Sequence, residues 1–266
     1  QIPSLSFYSL TSTTAALLWL PCFLLSDLRL GNLPAMFWPI LAGSLVSEFI
    51  YIYGLANAYR KDDICLVYPL TRALPVLLTA AVTLLAGIGA PPGPVTLAGM
   101  VILSSGCLLM PLMRWNQFRP ASYRSGALKF IVIAAAGTTG YTIFDSMAIR
   151  LVRASVEQPG LLSSMAYLFL IEAGLALMLL FAVSCSISER QEFRKLFLKT
   201  KTPVISGIFS STAYILILIA MTHVTNVSYI QAFRQMSLPI GVLPGRPRLA
   251  GIALVITGLV VVAVGS

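Results

Sequence analysis

The stretch NAYRKDDICLVYPLTRALPVLLT, residues 57–79, is the part of this sequence from which the fold is inferred. It leads from a charged turn into an apolar run that contains Arg72 between two prolines. A lone arginine at the centre of a bilayer costs about 2.5 to 3.5 kcal/mol on insertion scales, so its side chain should face a cavity or a partner. The pattern returns 162 residues later, where LIAMTHVTNVSYIQAFRQMSLP, residues 218–239, contains Arg234. Two copies predict a duplicated membrane protein.

The composition also indicates a membrane protein. Of the 266 residues, 58% are hydrophobic and 10% are charged, whereas soluble domains have about 25% charged residues. Nine apolar runs are long enough to cross about 30 Å of hydrocarbon, so we expect an all-α polytopic bundle. These predicted spans cover residues 7–25, 35–57, 64–87, 94–112, 127–149, 161–184, 203–222, 227–243 and 249–265.

The formal net charge of +9 is explained by loops that flank the spans, without a nucleic-acid partner. One set of loops, at 58–65, 112–129, 185–202 and 244–248, holds 13 basic residues. The opposite loops hold three, which are Arg29, Arg150 and Arg153. The positive-inside rule therefore predicts that the first set lies in the cytoplasm.

A second internal match joins the last helix of each half of the chain. TLAGMVILSSGCLLM, residues 96–110, matches RLAGIALVITGLVVV, residues 248–262. We therefore predict a first repeat over 1–112, a basic connector over 113–126 and a second repeat over 127–266. The first copy has four spans and the second has five, so we expect a tenth helix before Gln1.

Five spans in each repeat would invert one copy relative to the other. This is the arrangement of many secondary transporters, in which the substrate binds near the midplane where the repeats meet. Proline within both arginine-bearing segments favours that interpretation, because it frees carbonyl groups at depth that must face protein or a cavity.

Several segments support the same arrangement: AYRKDDICLVYPLTRALPVLL from Ala58, GYTIFDSMAIRL from Gly140, YLFLIEAGLAL from Tyr167, VSYIQAFRQMSLPIGVL from Val227, and the two LAG helices. In order and spacing they resemble the EamA-type proteins of the drug/metabolite transporter (DMT) superfamily. The resemblance implies a basket of ten helices in two inverted five-helix repeats. It also implies a bacterial cytoplasmic (inner) membrane protein that moves small metabolites, often amino acids or drugs, outward.

Two features depart from the resemblance. Related proteins usually have a glutamate in the turn after the fourth helix, whereas this turn reads GIGAPPGP. The resemblance also implies that both termini lie inside the cell. With a tenth helix restored, the charge bias places both termini outside.

Arg72 and Arg234 are the leading candidates for substrate binding, because the internal repeat relates them. Their forked donors suit a carboxylate or a phosphate. Alternatively, they pair with acidic residues of the spans and hold the bundle in register. Tyr68 and Gln231 share a helical face with their respective arginines. The expected substrate contacts are Arg72, Arg234, Tyr68, Gln231, Glu48, Tyr141 and Tyr229.

Three acidic residues within the spans, Glu48, Glu172 and Asp145, are candidates for proton coupling. A carboxyl group inside a membrane can take up and release a proton during transport. Asp145 is close to the predicted end of its span and five residues from Arg150, so a structural role at the membrane interface is favoured for it.

The function expected is a secondary transporter that exports a small polar metabolite or amino acid, including anionic ones, by alternating access. The alternatives are a flippase for a lipid-linked substrate and a membrane subunit without transport activity. An enzyme is not expected, because the chain has no HExxH motif and one histidine. The expected partners are the substrate, membrane lipids and protons, with no nucleic acid, cofactor or metal.

Overall fold

In the computed structural model, the described residues are 4–112, 114–115, 126–157, 160–238 and 246–265. Their regular elements are all helical, with short 3-10 turns at Leu30–Asn32 and Arg234–Ser237. The α-helices are α1 (Leu5–Leu25), α2 (Phe37–Lys61), α3 (Ile64–Ala86), α4 (Pro94–Leu109), α5 (Leu128–Ala154), α6 (Leu161–Ser184), α7 (Ile187–Lys199), α8 (Thr202–Met221), α9 (Ser228–Phe233) and α10 (Arg246–Val264).

Seven of these helices, among the described residues, are long and apolar enough to cross a membrane. They are α1, α2, α3, α5, α6, α8 and α10. The protein is therefore an integral membrane protein. Helix α4 is apolar too, but its 16 residues span about 24 Å, which is less than the hydrocarbon thickness of a typical bilayer.

Two segments differ from their predicted structure. The predicted span 227–243 contains only the six-residue helix α9 and a 3-10 turn as far as Ser237, while residues 239–245 lie outside the described part. The segment 187–199, which was expected to be a basic loop, forms the helix α7. The side chain of Ser186 accepts a hydrogen bond from Glu189 N at 3.4 Å and caps that helix.

The chain divides into two compact units, and each is discontinuous in sequence. Unit 1 contains Gln1–Ile52 and Gly140–His223, and unit 2 contains Tyr53–Thr139 and Val224–Ser266. Helices α2 and α5 contribute residues to both units. Each unit thus combines parts of both predicted repeats, whose boundaries at 1–112, 113–126 and 127–266 stay a prediction.

In unit 1, helix α1 packs against α6, α7 and α8. Its N-terminus is capped by Ser4, whose hydroxyl oxygen accepts a hydrogen bond from Phe7 N at 3.2 Å. Ile52, Leu175 and Leu179 form a small apolar core there. The packing brings polar residues of α1, α2, α5, α6 and α8 toward the interior of the unit.

In unit 2, helices α4 and α10 approach closely through glycines. A Cβ on Gly106 would lie 2.7 Å from the carbonyl oxygen of Gly251, and a Cβ on Gly258 would lie 2.7 Å from that of Gly99. Real Cβ atoms essentially never come so close to a backbone atom, so these positions require glycine. The sequence match involves the same four glycines, but it aligns Gly99 with Gly251 and Gly106 with Gly258, whereas the contacts join Gly106 to Gly251 and Gly99 to Gly258.

In unit 2, hydrogen bonds join the turn after α3 to the segment before α9. Asn226 is buried, and its Nδ2 donates to the carbonyl oxygens of Ile88 at 3.3 Å and Ala90 at 3.0 Å. Ala90 N in turn donates to the carbonyl oxygen of Thr225 at 3.2 Å. Gly89 has a φ of 73°, and a side chain there would collide with the Thr225 carbonyl. The apolar core beside this turn joins α3, α4, α9 and α10.

Candidate functional site

Asp145 lies fully buried on α5, in unit 1, and its carboxylate is held by hydroxyl groups. Tyr167 Oη donates to Asp145 Oδ1 at 2.8 Å. The hydroxyls of Ser44 and Tyr214 also donate to the carboxylate, one to each oxygen. Because the donors lie on α2, α6 and α8, four helices meet at this one carboxyl group.

Asp145 lies nine residues before the end of its helix. Helix α5 continues to Ala154, beyond the boundary predicted at residue 149. Asp145 is enclosed by protein, while Arg150 is exposed. The structural role at the interface stays a prediction, and it did not include this enclosure.

Tyrosine rings extend from this carboxylate within unit 1. The ring of Tyr214 lies 6.2 Å from that of Tyr141, which lies 5.6 Å from that of Tyr51, measured between centroids. Tyr141 is buried, one helical turn before Asp145. This predicted substrate contact therefore belongs to the surroundings of Asp145.

The other two acidic candidates belong to the same region of unit 1. Glu172 on α6 lies within electrostatic range of Asp145, with Ser12 of α1 nearby. Glu48 on α2 lies within electrostatic range of Tyr167. We name Glu48, Asp145 and Glu172 the carboxyl cluster. All three residues predicted as coupling candidates therefore lie in unit 1.

Arg72 lies half-buried on α3 in unit 2, between two prolines that α3 accommodates without a break. Its guanidinium carbon is 5.2 Å from the centroid of the Tyr68 ring. The predicted shared face of these two residues is confirmed. Pro75 has no backbone N–H, so the carbonyl of Thr71 loses its helical partner beside Arg72. The guanidinium of Arg72 and the carbonyl of Thr71 are therefore a cation and a hydrogen-bond acceptor on adjacent residues of α3.

Arg234 is half-buried at the start of the 3-10 turn that follows α9. Helix α9 packs against α3, so the helix that carries Arg72 and the helix that precedes Arg234 are neighbours. Gln231 is buried, and its backbone carbonyl oxygen accepts a hydrogen bond from Gln235 Nε2 at 2.8 Å. Tyr229 is buried in the apolar core of the unit. These two predicted contacts are therefore enclosed by protein beside Arg234.

Buried polar atoms near Arg234 were not anticipated from the sequence. Within the described residues, Gln235 Oε1 and Ser228 Oγ are buried and have no hydrogen-bond partner. Such atoms are uncommon in native structures. They add acceptor capacity to the segment that carries Arg234.

The structure thus places both arginines in unit 2 and all three acids in unit 1. Sequence reasoning missed Ser44, Tyr167 and Tyr214, whose hydroxyls donate to Asp145. The available signal was weak, because serine and tyrosine are common in membrane helices. Over the ranges that the structure describes, no group of three or more His, Cys, Asp or Glu residues could hold a metal ion.

Comparison with known proteins identifies a shared fold. No protein-family model matches this chain, and no curated protein matches it. A crystal structure of a protein is similar to it, with a TM-score of 0.56 and 15% sequence identity. The similarity covers 99% of this chain and 88% of that chain. At this identity the likeness shows the fold alone.

Proposed function

We propose that this protein is a secondary transporter that exports a small polar metabolite or amino acid, including anionic ones, across the bacterial cytoplasmic membrane by alternating access. The observation that carries the proposal is Asp145, a carboxylate fully buried within the long apolar helix α5 and held by hydroxyls from three other helices. An ionisable residue at such a position is costly and commonly marks a pathway for substrate, ions or protons.

The two kinds of charged residue have different roles in the proposal. Arg72 and Arg234 bind an acidic group of the substrate, because arginine keeps its charge and offers paired donors. The carboxyl cluster takes up and releases the proton that drives transport. Tyr68 supports Arg72 through the contact of its ring with the guanidinium group.

An inverted pair of five-helix repeats, ten helices in all, is part of this proposal. Its support lies in the glycine contacts of α4 and α10. The sequence match equates Gly99 with Gly251 and Gly106 with Gly258, while the close approaches join Gly99 to Gly258 and Gly106 to Gly251. When each glycine in the contact between Gly106 and Gly251 is replaced by its sequence equivalent, the result is the contact between Gly258 and Gly99, which is the other one observed. Copies related by a two-fold axis have this property.

Transport by arginine variants in liposomes tests the proposal. Purified wild-type protein and the variants Arg72→Ala and Arg234→Ala are reconstituted and assayed for counterflow of a panel of amino acids and organic acids. Loss of a charge-assisted hydrogen bond costs about 1.5 to 3 kcal/mol, so each variant should lose roughly 10-fold to 100-fold in transport. Size-exclusion profiles report whether each variant folds.

Lys129→Ala is the matched control. Lys129 is exposed, and its Nζ lies 5.0 Å from the Phe130 ring centroid, so the variant also removes a cation that contacts an aromatic ring. It should transport at the wild-type rate. Full activity in both arginine variants would remove those residues from the site, and wild-type protein that moves no compound of the panel would count against transport itself.

A further inference from the structure

Helix α7 has a surface that transport does not explain. It joins α6 directly to α8, two helices that can cross a membrane, so it lies at the ends of those helices in unit 1. It packs against α1 and α6 with one narrow face. Glu189 and Leu196 are the residues of that face that are buried.

The inward face fixes α7 to the start of α1. Ser6 N donates to Glu189 Oε2 at 3.0 Å, and Ser6 Oγ donates to the same oxygen at 2.7 Å. Ser6 Oγ also approaches the backbone carbonyl oxygen of Glu189 at 2.6 Å. The carboxylate of Glu189 is therefore turned into the protein. Its negative charge does not face the surroundings.

The outward face combines large apolar side chains with basic ones. Ile187 and Phe197 are 69% exposed and Leu198 is 78% exposed. At 100° per residue, Ile187 and Leu198 share one side of the helix, with Phe197 about 80° to 100° away. Basic side chains lie between and beside them, and all are exposed: Arg190, Arg194, Lys195, Lys199 and, just beyond the helix, Lys201.

We infer that α7 lies in the membrane interface and binds the headgroups of anionic phospholipids. Exposed phenylalanine and leucine on a helix at the end of membrane spans enter the acyl boundary, and long basic side chains reach outward from there to phosphates. The charge is complementary to an anionic leaflet, since Glu192 is the one acidic side chain of α7 that is not buried. This site is independent of the proposed transport function.

Lipid-specific quenching tests this inference. A bimane label is attached at Leu198→Cys in a Cys22→Ser/Cys65→Ser/Cys185→Ser background, and the protein is placed in nanodiscs of equal parts phosphatidylglycerol and phosphatidylcholine. Two preparations are compared: in one, only the phosphatidylglycerol carries brominated acyl chains, and in the other, only the phosphatidylcholine does. We expect brominated phosphatidylglycerol to quench the label about twofold more strongly than brominated phosphatidylcholine, because the basic residues enrich it near α7.

Two double variants distinguish α7 from general charge attraction. Arg194→Gln/Lys195→Gln should abolish the preference for phosphatidylglycerol. Arg29→Gln/Arg150→Gln removes the same charge from two other exposed positions, one between α1 and α2 and one near the C-terminal end of α5, and should leave the preference intact. Equal quenching by both lipids, or a preference that survives in Arg194→Gln/Lys195→Gln, overturns the inference. Quenching by neither lipid also overturns it and points to a protein partner or to water.

Discussion

At the scale of single residues, Asp145 is an ionisable group that is fully buried on a membrane helix. Its donors are hydroxyls from Ser44, Tyr167 and Tyr214. Hydroxyl groups stabilise a carboxylate and can rotate to accept from it once it is protonated. The arrangement therefore suits a group that changes its proton occupancy during a transport cycle.

The stability of this arrangement can be measured with Tyr167→Phe. The substitution keeps the fully buried ring but removes the 2.8 Å hydrogen bond to Asp145. Hydrogen bonds to charged groups contribute about 1.5 to 3 kcal/mol, so we expect the free energy of unfolding in detergent to fall by about that amount.

Tyr53→Phe serves as the control for this measurement. Tyr53 is 43% exposed, and its change should alter the free energy of unfolding by less than about 0.5 kcal/mol. If Tyr167→Phe were as stable as wild type, the Tyr167 hydroxyl would not stabilise the buried carboxylate.

Part of this site could be predicted from the sequence. Glu48, Asp145 and Glu172 were identified because charge within an apolar run is unusual. The residues that hold them could not be predicted, because Ser44 is separated from Asp145 by 101 positions and Tyr214 by 69. Contacts at such separations depend on how helices pack, and no single span contains that information.

At the scale of elements, the contact between α4 and α10 depends on the absence of side chains. Gly258→Ala places a Cβ 2.6 Å from Leu103 N, and a backbone atom cannot move away as a flexible side chain can. We expect a net loss of about 1 to 3 kcal/mol in the free energy of unfolding, despite the higher helix propensity of alanine.

Gly31→Ala is the matched control for the glycine contact. A Cβ on Gly31 would meet no atom within 4 Å, so its change should be close to neutral. An unchanged stability of Gly258→Ala would show that α4 and α10 can separate without cost. Gly106→Ala should then be harmless as well.

Helix α7 was predicted to be a loop because of its charged residues. Its four basic residues, with Lys201 just beyond the helix, resemble a loop between spans, and the sequence was interpreted in that way. The signals for a helix were Ser186 as a cap and the spacing of Glu189 and Leu196, seven residues apart on one face. The seven long spans were easier to predict, because each needs only a continuous apolar run.

At the scale of the whole molecule, the membrane topology rests on whether α4 crosses the bilayer. Cys65, in the first turn of α3, and Cys185, directly after α6, are both exposed. If α3, α4, α5 and α6 all cross, these two cysteines lie on the same side. The charge bias predicts that this side is the cytoplasm.

Labelling with an impermeant maleimide measures this topology. Single-cysteine proteins that retain Cys65 or Cys185 should both be labelled in inside-out vesicles and protected in right-side-out vesicles. Gly31→Cys, at an exposed position in an opposite loop, should show the reverse pattern. Labelling of Cys65 and Cys185 from different sides would mean that α4 does not cross.

If the protein is the transporter proposed above, the hydrogen bonds of Asn226 in unit 2 affect when the substrate is released. Asn226 joins the turn after α3 to the segment before α9. Helix α3 carries Arg72, and helix α9 directly precedes Arg234. A tilt of one helix should carry its neighbour along. An anion bound by both guanidinium groups would then leave in one step with a single dissociation rate, instead of detaching first from one arginine and later from the other.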